Sequence, residues 1–388
     1  MKQGWEIKKV GEVFDLQMGK TPNRDNRSYW GGNNIWLSIS DIKDKYIGLS
    51  KETITDLALK ESNIKKVKSG TVIMSFKLTV GRTAITTTDL YTNEAIMAFI
   101  PKEDYNILPE YTYYYLSHYK WENSNKAVMG ITLNKKVISD SYFEFPERAE
   151  QERIVGELDC LSGIIAAKRA QLRELDTLAQ SIFYTMFGDP ITNDKGWQTK
   201  MLKDSVFEMF LGPFGSSLKT DCYVDKADSF CVVYEQKHAI KKSLDVETHY
   251  INEEKYNSLK RFEVHAGDFI MSCRGTIGEL FRLPSNAPMG IIHPSLMKIR
   301  INEGVYNPIF FLWLLSRIVK NENTNGNCVQ MAITAKELGK RIPIVPPIDL
   351  QKQFAEKIEN IERQKELITK SIKETEDLFN SRMDYYFN

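Results

Sequence analysis

The sequence predicts a mixed α/β (α+β) chain: two similar globular domains separated by two long helices. Three observations predict it. First, segments recur about 200 residues apart. GTVIMSFKLTVGRTAI (Gly70–Ile85) returns as GDFIMSCRGTIGELF (Gly267–Phe281), and ITLNKKVIS (Ile131–Ser139) returns, shortened by two, as ITAKELG (Ile333–Gly339). A period this long marks tandem domains rather than a solenoid. Second, short alternating runs lie between turn signals such as Gly31-Gly32 and Ser69-Gly70, which is the pattern of half-buried strands. Third, each half closes with a stretch poor in Gly and Pro whose apolar residues recur in steps of four and three, the rhythm of paired helices.

Bulk composition narrows the classes. A chain of 388 residues with 42% hydrophobic and 27% charged residues is long enough for two self-sufficient cores. The net charge of +1 excludes a general polycation, so any nucleic-acid contact must come from local patches. Cys160, Cys222, Cys231, Cys273 and Cys328 are odd in number and form no C-x-x-C, which favours free thiols in a reducing compartment. No 18-residue apolar run suggests a membrane span. MKQGWEIKKVGEVF lacks a signal-peptide core, so a cytoplasmic location is expected.

Residues 1–147 form the first globular unit, with strands expected at Asn34–Ser40, Thr71–Phe76 and Ala95–Ile100 and a helix at Pro109–Tyr119. Proline suits the first helical turn, and the helix tyrosines are expected to face the core. Residues 148–188 form the first long helix. Its seam is Ile154, Leu158, Leu161, Ile165, Lys168, Leu172, Leu175, Ala179, Ile182 and Met186, with Lys168 and Ala179 as weak points. Forty helical residues would span roughly 60 Å, and Gly188-Asp189-Pro190 ends the run. Residues 189–348 form the second globular unit, which opens with GWQTKMLKDSVFEMF as an echo of GWEIKKVGEVFDL. Residues 349–388 form the second long helix, with a more polar seam of Phe354, Ile358, Ile361, Lys365, Ile368, Ile372, Thr375, Phe379, Arg382 and Tyr386. Neither stripe can be buried along its whole length by one globular unit. The economical solution is antiparallel pairing of the two helices, with part of the first seam left for a partner protein.

The catalytic motifs tested fail on spacing. Gly19-Lys20-Thr21 lacks the glycine five positions earlier that a P-loop needs, because Phe14 stands there. G-x-G-x-x-G, N-P-P-[YF], H-E-x-x-H and G-x-S-x-G are missing, and Val345-Pro346-Pro347 lacks the amide and the aromatic of a methyl-transfer motif. Cys222, Cys231, His238 and His249 are spaced too widely for a zinc knuckle. No metal and no cofactor are expected, and no catalytic residues are assigned.

What remains is polar residues on turn-rich segments. In the first unit these are Lys20, Thr21, Arg24 and Arg27 beside Tyr29 and Trp30, then Lys77, Thr79 and Arg82, then Thr132, Asn134, Lys135 and Lys136. In the second they are Ser216, Ser217 and Lys219, then Gln236, Lys237 and His238, then Arg274 and Thr276, then Thr334 and Lys336. Lys and Arg neutralise phosphates, Ser and Thr fix register, and Arg, Lys, Asn and Gln can read base edges. Any single member could be an ordinary solvated loop residue. The clusters recur at matching places with different identities, as expected if one frame serves two different targets.

These residues carry a resemblance to the specificity subunit of Type I restriction-modification systems. It rests on Gly19-Lys20-Thr21-Pro22, WLSISDI (Trp36–Ile42), and the paired G-x-x-I-M-S…T-[VI]-G strands. It also rests on GPFGSSL (Gly212–Leu218), the P-x4-Q starts of both long helices at Pro146 and Pro346, and the MFGDP…GW junction (Met186–Trp197). The resemblance implies two target-recognition domains, each binding one part of an interrupted double-stranded DNA site. It implies an antiparallel coiled coil that sets the unread spacer and docks methyltransferase subunits, with translocase-nuclease subunits joining that core. It also implies no chemistry of the chain's own. The competing expectations are a protein–protein scaffold with duplicated domains and a nuclease with an unfamiliar site.

Overall fold

In this computed structural model the backbone is described for residues 4–121, 125–127, 130–324 and 332–388, and side chains for 4–121, 133–319 and 332–388. Cys328 and the side chain of Thr132 lie outside the described residues. The chain divides into two compact units, Met1–Ala170 with Thr369–Asn388, and Gln171–Ile368.

The repeat read from the sequence is a repeat of sheet topology. In the first unit β1 (Phe14–Met18), β2 (Val72–Ser75), β3 (Thr83–Thr86) and β4 (Ile96–Pro101) form an antiparallel sheet in the order β1-β4-β2-β3, extended by Tyr46–Ile47. In the second unit β5 (Val206–Leu211), β6 (Phe269–Ser272), β7 (Leu280–Arg282) and β8 (Leu296–Ile301) take the same order, β5-β8-β6-β7. The register also repeats: Met97 lies opposite both Met18 and Met74, and Met297 opposite both Leu211 and Met271. Each unit adds a smaller sheet with one parallel pair. In the first, Trp30–Leu37 runs parallel to Tyr91–Thr92; in the second, Cys231–Tyr234 runs parallel to Gly290–Ile292.

Both faces of β2 and β6 are buried. Alternate side chains therefore feed two cores: Val72 and Met74 join one cluster and Ile73 another, while Phe269 and Met271 join one cluster and Ile270 another. The strand expected at Asn34–Ser40 runs instead from Trp30 to Leu37. It stops there because the Asp41 carboxylate accepts hydrogen bonds from the Ser38 amide (2.8 Å) and hydroxyl (2.7 Å), closing a tight turn.

The helix α1 (Pro109–His118) begins with its proline and buries Tyr111, Tyr114 and Tyr115. The first long helix, α2 (Arg148–Phe187), follows, then α3 (Pro308–Thr324) and the second long helix, α4 (Ile348–Phe387). The long helices pair antiparallel. In the first unit Glu157 meets Arg382 (2.8 Å) and Lys168 meets Ser371 (2.6 Å); in the second Asp176 meets Lys365 (2.8 Å). Ile154, Leu158, Leu175, Phe354, Ile358, Ile361 and Ile372 are buried on the seam, and Leu161, Ile165, Leu172, Ile182 and Ile368 are half-buried. The polar interruptions of the two seams answer each other. Lys168 donates to the hydroxyls of Ser371 and Thr375, and Lys365 takes Asp176. Polar contacts at seam positions of this kind favour one helix register.

The seams differ from the sequence reading at their ends. Met383 is buried and Arg382 is exposed, while Phe183 and Phe187 are fully buried and Ile182 and Met186 only partly. The cause is that the helix ends pack on the globular units as well as on each other. Phe187 lies 4.6 Å from Phe310 in the second unit, and Phe387 lies 5.6 Å from Tyr111 in the first.

The P-x4-Q spacing has a physical reason. Gln151 and Gln351 are buried, at 1% and 0% exposure. The Gln151 carbonyl accepts from the Leu108 amide (2.9 Å), and its amide donates to the carbonyls of Asn106 (3.3 Å) and Pro146 (2.9 Å). The Gln351 carbonyl accepts from the Asn307 amide (2.9 Å), and its amide donates to the carbonyls of Val305 (3.0 Å) and Pro346 (2.7 Å). Gln151 ties the start of α2 to the loop before α1, and Gln351 ties the start of α4 to the loop before α3. Gln151→Leu or Gln351→Leu is expected to cost about 2–3 kcal/mol, because buried backbone groups lose their partners. Denaturant titration of each variant checks this, and a change below about 0.5 kcal/mol would contradict it.

Candidate nucleic-acid interface

The shared register gathers most of the candidate residues at one end of each main sheet. β1 and β2 both end beside the start of β4, and β5 and β6 both end beside the start of β8. The turn after β1 and the loop after β2 therefore leave the sheet on the same side, as do their counterparts in the second unit. The Gly19 and Gly212 amides bond to the carbonyls of Ile96 (3.2 Å) and Leu296 (2.9 Å). A Cβ at Gly19 would sit 2.2 Å from the Thr92 carbonyl oxygen, and one at Gly212 would sit 2.3 Å from that of His293. Only glycine permits that approach, which explains why G-K-T-P and G-P-F-G share their first residue.

The loop after β2 spans Phe76–Gly81 and the loop after β6 spans Cys273–Gly278. The first carries Lys77 and Thr79 with Arg82 just beyond; the second carries Arg274 and Thr276, and all but the half-buried Lys77 are exposed. The Phe76 carbonyl accepts from the Leu133 amide (2.9 Å), and the Cys273 carbonyl accepts from the Ile333 amide (3.1 Å). These bonds bring the third candidate group to the same sheet end. Asn134 caps the short helix Lys135–Asp140 through the Val137 amide (2.9 Å), leaving Lys135 and Lys136 exposed. Thr334 caps Ala335–Gly339 through the Glu337 amide (3.2 Å), leaving Lys336 exposed. The structure therefore matches Leu133 with Ile333 and Asn134 with Thr334. The two "IT" pairs aligned in the sequence are not equivalent: Gly130–Thr132 is a strand, whereas Ile333-Thr334 leads directly into a helix.

Other candidates are already engaged. Arg24 makes a two-pronged ion pair with Glu52 (3.1 Å for one prong) and lies 3.9 Å from the centre of the Trp30 ring. Thr21 donates to Glu94. Lys237 pairs with Glu235 (2.9 Å), which also accepts from His249 (2.9 Å). Burial pushes the Glu235 carboxyl up, but bonds from Lys237 and His249 outweigh it and hold it below the usual carboxylate range. Burial also keeps the His238 imidazole below its ordinary value, so it is neutral at physiological pH. Gln236 donates to the backbone carbonyls of Arg274 and Thr276 (3.5 Å), so it braces that loop. Arg27 lies in a single turn tied to Thr55, whose amide donates to the Tyr29 carbonyl (2.9 Å). Lys20, Lys219 and Ser216 are exposed, and Ser217 is half-buried with its amide bonded to Phe214 (2.8 Å).

Sequence reasoning passed over Ser75 and Ser272, the fully buried serines that hold the two loops. The signal was present as the final S of the repeated I-M-S. Among the described residues no group of three or more His, Cys, Asp or Glu side chains could hold a metal. No helix among them is long and apolar enough to cross a membrane.

Each unit thus carries a main sheet with cation-bearing loops at one end, and the long helices pair with each other within each unit. Residues 2–177 match the family described as Type I restriction modification DNA specificity domain. The MjaIX specificity subunit of Methanocaldococcus jannaschii is 26% identical over 222 residues, covering 52% of this chain and 51% of that protein. The EcoprrI specificity subunit of Escherichia coli is 26% identical over 174 residues, covering 40% of this chain and 42% of that protein. The chain thus spans about half the length of the curated relatives it matches. In fold it is similar to a chain solved in work on complex assembly and conformational transition of the type I R-M system, with TM-score 0.69, 15% identity and coverage of 100% and 98%. It is also similar to the Type I S subunit of M. genitalium, with TM-score 0.52, 11% identity and coverage of 99% and 96%.

Proposed function

We propose that this chain is a non-catalytic DNA sequence-recognition subunit of a Type I restriction-modification complex. Residues 1–147 and 189–348 act as the two target-recognition domains, and 148–188 with 349–388 act as the coiled coil. Each domain reads one part of a bipartite duplex site. The long helices dock methyltransferase subunits, and translocase-nuclease subunits complete the assembly in the cytoplasm. The observation that carries this reading is the repeated sheet end: one frame, with matched loops, presents Lys77, Thr79, Asn134 and Lys136 in one half and Arg274, Thr276, Thr334 and Lys336 in the other. A common frame that presents matched polar loops in both halves suits two DNA-contacting domains built on one plan.

Of the remaining candidates, Arg82 and Lys135 adjoin these positions, while Lys20, Thr21, Arg24, Arg27, Ser216, Ser217, Lys219, Gln236 and Lys237 lie on separate polar segments. The test is duplex binding by the chain together with a methyltransferase subunit. Binding is expected to weaken steeply with salt as phosphate contacts exchange for ions. With Mg²⁺, the chain alone is expected to leave DNA uncut and unmethylated. Cleavage or methylation by the chain alone contradicts the assignment, and so does failure of the complex to bind any duplex.

A further inference from the structure

The two halves share one serine-braced turn, although in the first half Lys77–Leu78 also pairs as a short ladder with Ile131–Thr132, where the second half has a single bridge from Arg274 to Ala332. Ser75 and Ser272 are both fully buried at the ends of β2 and β6. The Ser75 hydroxyl donates to the Thr79 carbonyl and accepts from the Arg82 amide (3.1 Å). The Ser272 hydroxyl donates to the Thr276 carbonyl and accepts from the Glu279 amide (2.9 Å). The Gly81 amide bonds to the Ser75 carbonyl (2.9 Å), and the Gly278 amide to the Ser272 carbonyl (2.8 Å). Gly81 and Gly278 have the same φ of +88°. The residue after the loop cation is left-handed in both, Leu78 at φ +64° and Gly275 at +65°. Glycine adopts that conformation freely and leucine does not. The first half nevertheless keeps the shape with a leucine that is 60% exposed and therefore gains little from packing. The loop geometry is thus maintained against a local conformational cost, which is characteristic of functional loops.

The position this geometry fixes is a cation, Lys77 in one half and Arg274 in the other. Neither makes an ion pair among the described residues, whereas Arg24, Lys237 and Arg300 all do. A second cation is also common to both halves: Lys136 and Lys336 occupy equal positions after the caps Asn134 and Thr334. A cation pair held at matching positions in both suits what every duplex presents alike, its phosphate backbone.

We propose that the two serine-braced loops are matched clamps on the DNA phosphate backbone. Lys77 with Lys136 serves one domain and Arg274 with Lys336 the other, while base discrimination lies with residues that differ between the halves. The exchange of Lys for Arg at one position fits this role, because a phosphate accepts either cation whereas two-pronged reading of guanine favours Arg. The assignment rests on the DNA-reading function proposed above.

The test uses the full chain with its methyltransferase partner and compares K77Q/K136Q, R274Q/K336Q and the charge-keeping pair K77R and R274K. Each double Gln variant is expected to weaken specific and unrelated duplexes alike, by about tenfold or more. Its log–log salt slope should fall by about 1 per cation removed, with the selected base sequence unchanged. K77R and R274K are expected to retain both affinity and selected sequence. Loss of base preference in one half-site would make these residues base readers and overturn the proposal, as would unchanged affinity for all duplexes. If the unaltered complex binds no duplex, the DNA-reading function itself fails and the clamps fall with it.

Discussion

Replacing Leu158 with Asp is expected to dismantle the first compact unit while leaving the second folded. Leu158 is 0% exposed and belongs to one core cluster with Tyr111, Phe143, Ile154, Met383 and Tyr386. That cluster joins three things at once: the helix α1, the first part of α2 and the last part of α4. An aspartate there is either buried charged without a partner or buried neutral at the expense of its ionisation, and each route costs several kcal/mol. Leu158→Ala removes packing only and is expected to cost about 2–5 kcal/mol. Leu172 is half-buried, so Leu172→Asp should do less damage, because its charge can reach water. Hydrogen exchange reads the outcome directly. Protection should collapse across Met1–Ala170 and Thr369–Asn388 and persist across Gln171–Ile368. Unchanged protection in the first unit would show that the seam does not hold it together.

The second large effect is expected at Asp268. This carboxylate is 2% exposed and Lys298 is 3% exposed. Asp268 takes a two-pronged contact from Arg300 (2.7 and 2.9 Å) and accepts from the His265 amide (2.9 Å). Lys298 lies 3.5 Å from it and pairs with Glu208 at 2.7 Å. The Arg300 guanidinium is held above its ordinary value mainly by its bonds to Asp268. Asp268→Ala leaves buried positive charge under-compensated, and removing one partner from a buried network costs about 3–5 kcal/mol.

The first unit solves the same place without charge. By the shared register Thr71, Ala98 and Ile100 stand where Asp268, Lys298 and Arg300 stand. Converting all three together to the first unit's residues should therefore be far milder than Asp268→Ala alone, within about 1 kcal/mol of the unaltered chain. Urea unfolding of the single and triple variants makes the comparison. A triple variant as damaged as the single one would mean that packing, rather than charge balance, dominates the site.

These two sites also mark what the sequence makes legible. The long helices could be read because their signal is periodic and local: the first spans Arg148–Phe187, as its apolar steps and Gly188 indicate. The doubled frame could be read because G-x-x-I-M-S and T-[VI]-G encode a strand, a buried serine and a left-handed glycine that the same turn needs twice. Charge pairing could not be read. Arg24 and Glu52 are 28 residues apart and Lys298 and Asp268 are 30 apart, and only tertiary closure brings them together. A list of basic turn residues therefore mixes cations such as Arg24 and Lys237, which are paired, with Lys77 and Arg274, which make no ion pair among the described residues. The helix ends escaped for a related reason. A heptad count assumes one partner, but Phe183, Phe187 and Met383 serve a globular core and a helix partner together.

The central claim is that one chain carries two independent readers. Selection of bound duplexes from a random pool by the chain with the proposed methyltransferase partner tests it most directly. The selection is run once with the natural sequence and once with residues 189–348 replaced by those of a relative of different specificity. The account predicts an interrupted consensus in which one part is retained and the other replaced. A contiguous consensus, or one in which both parts change together, would contradict it.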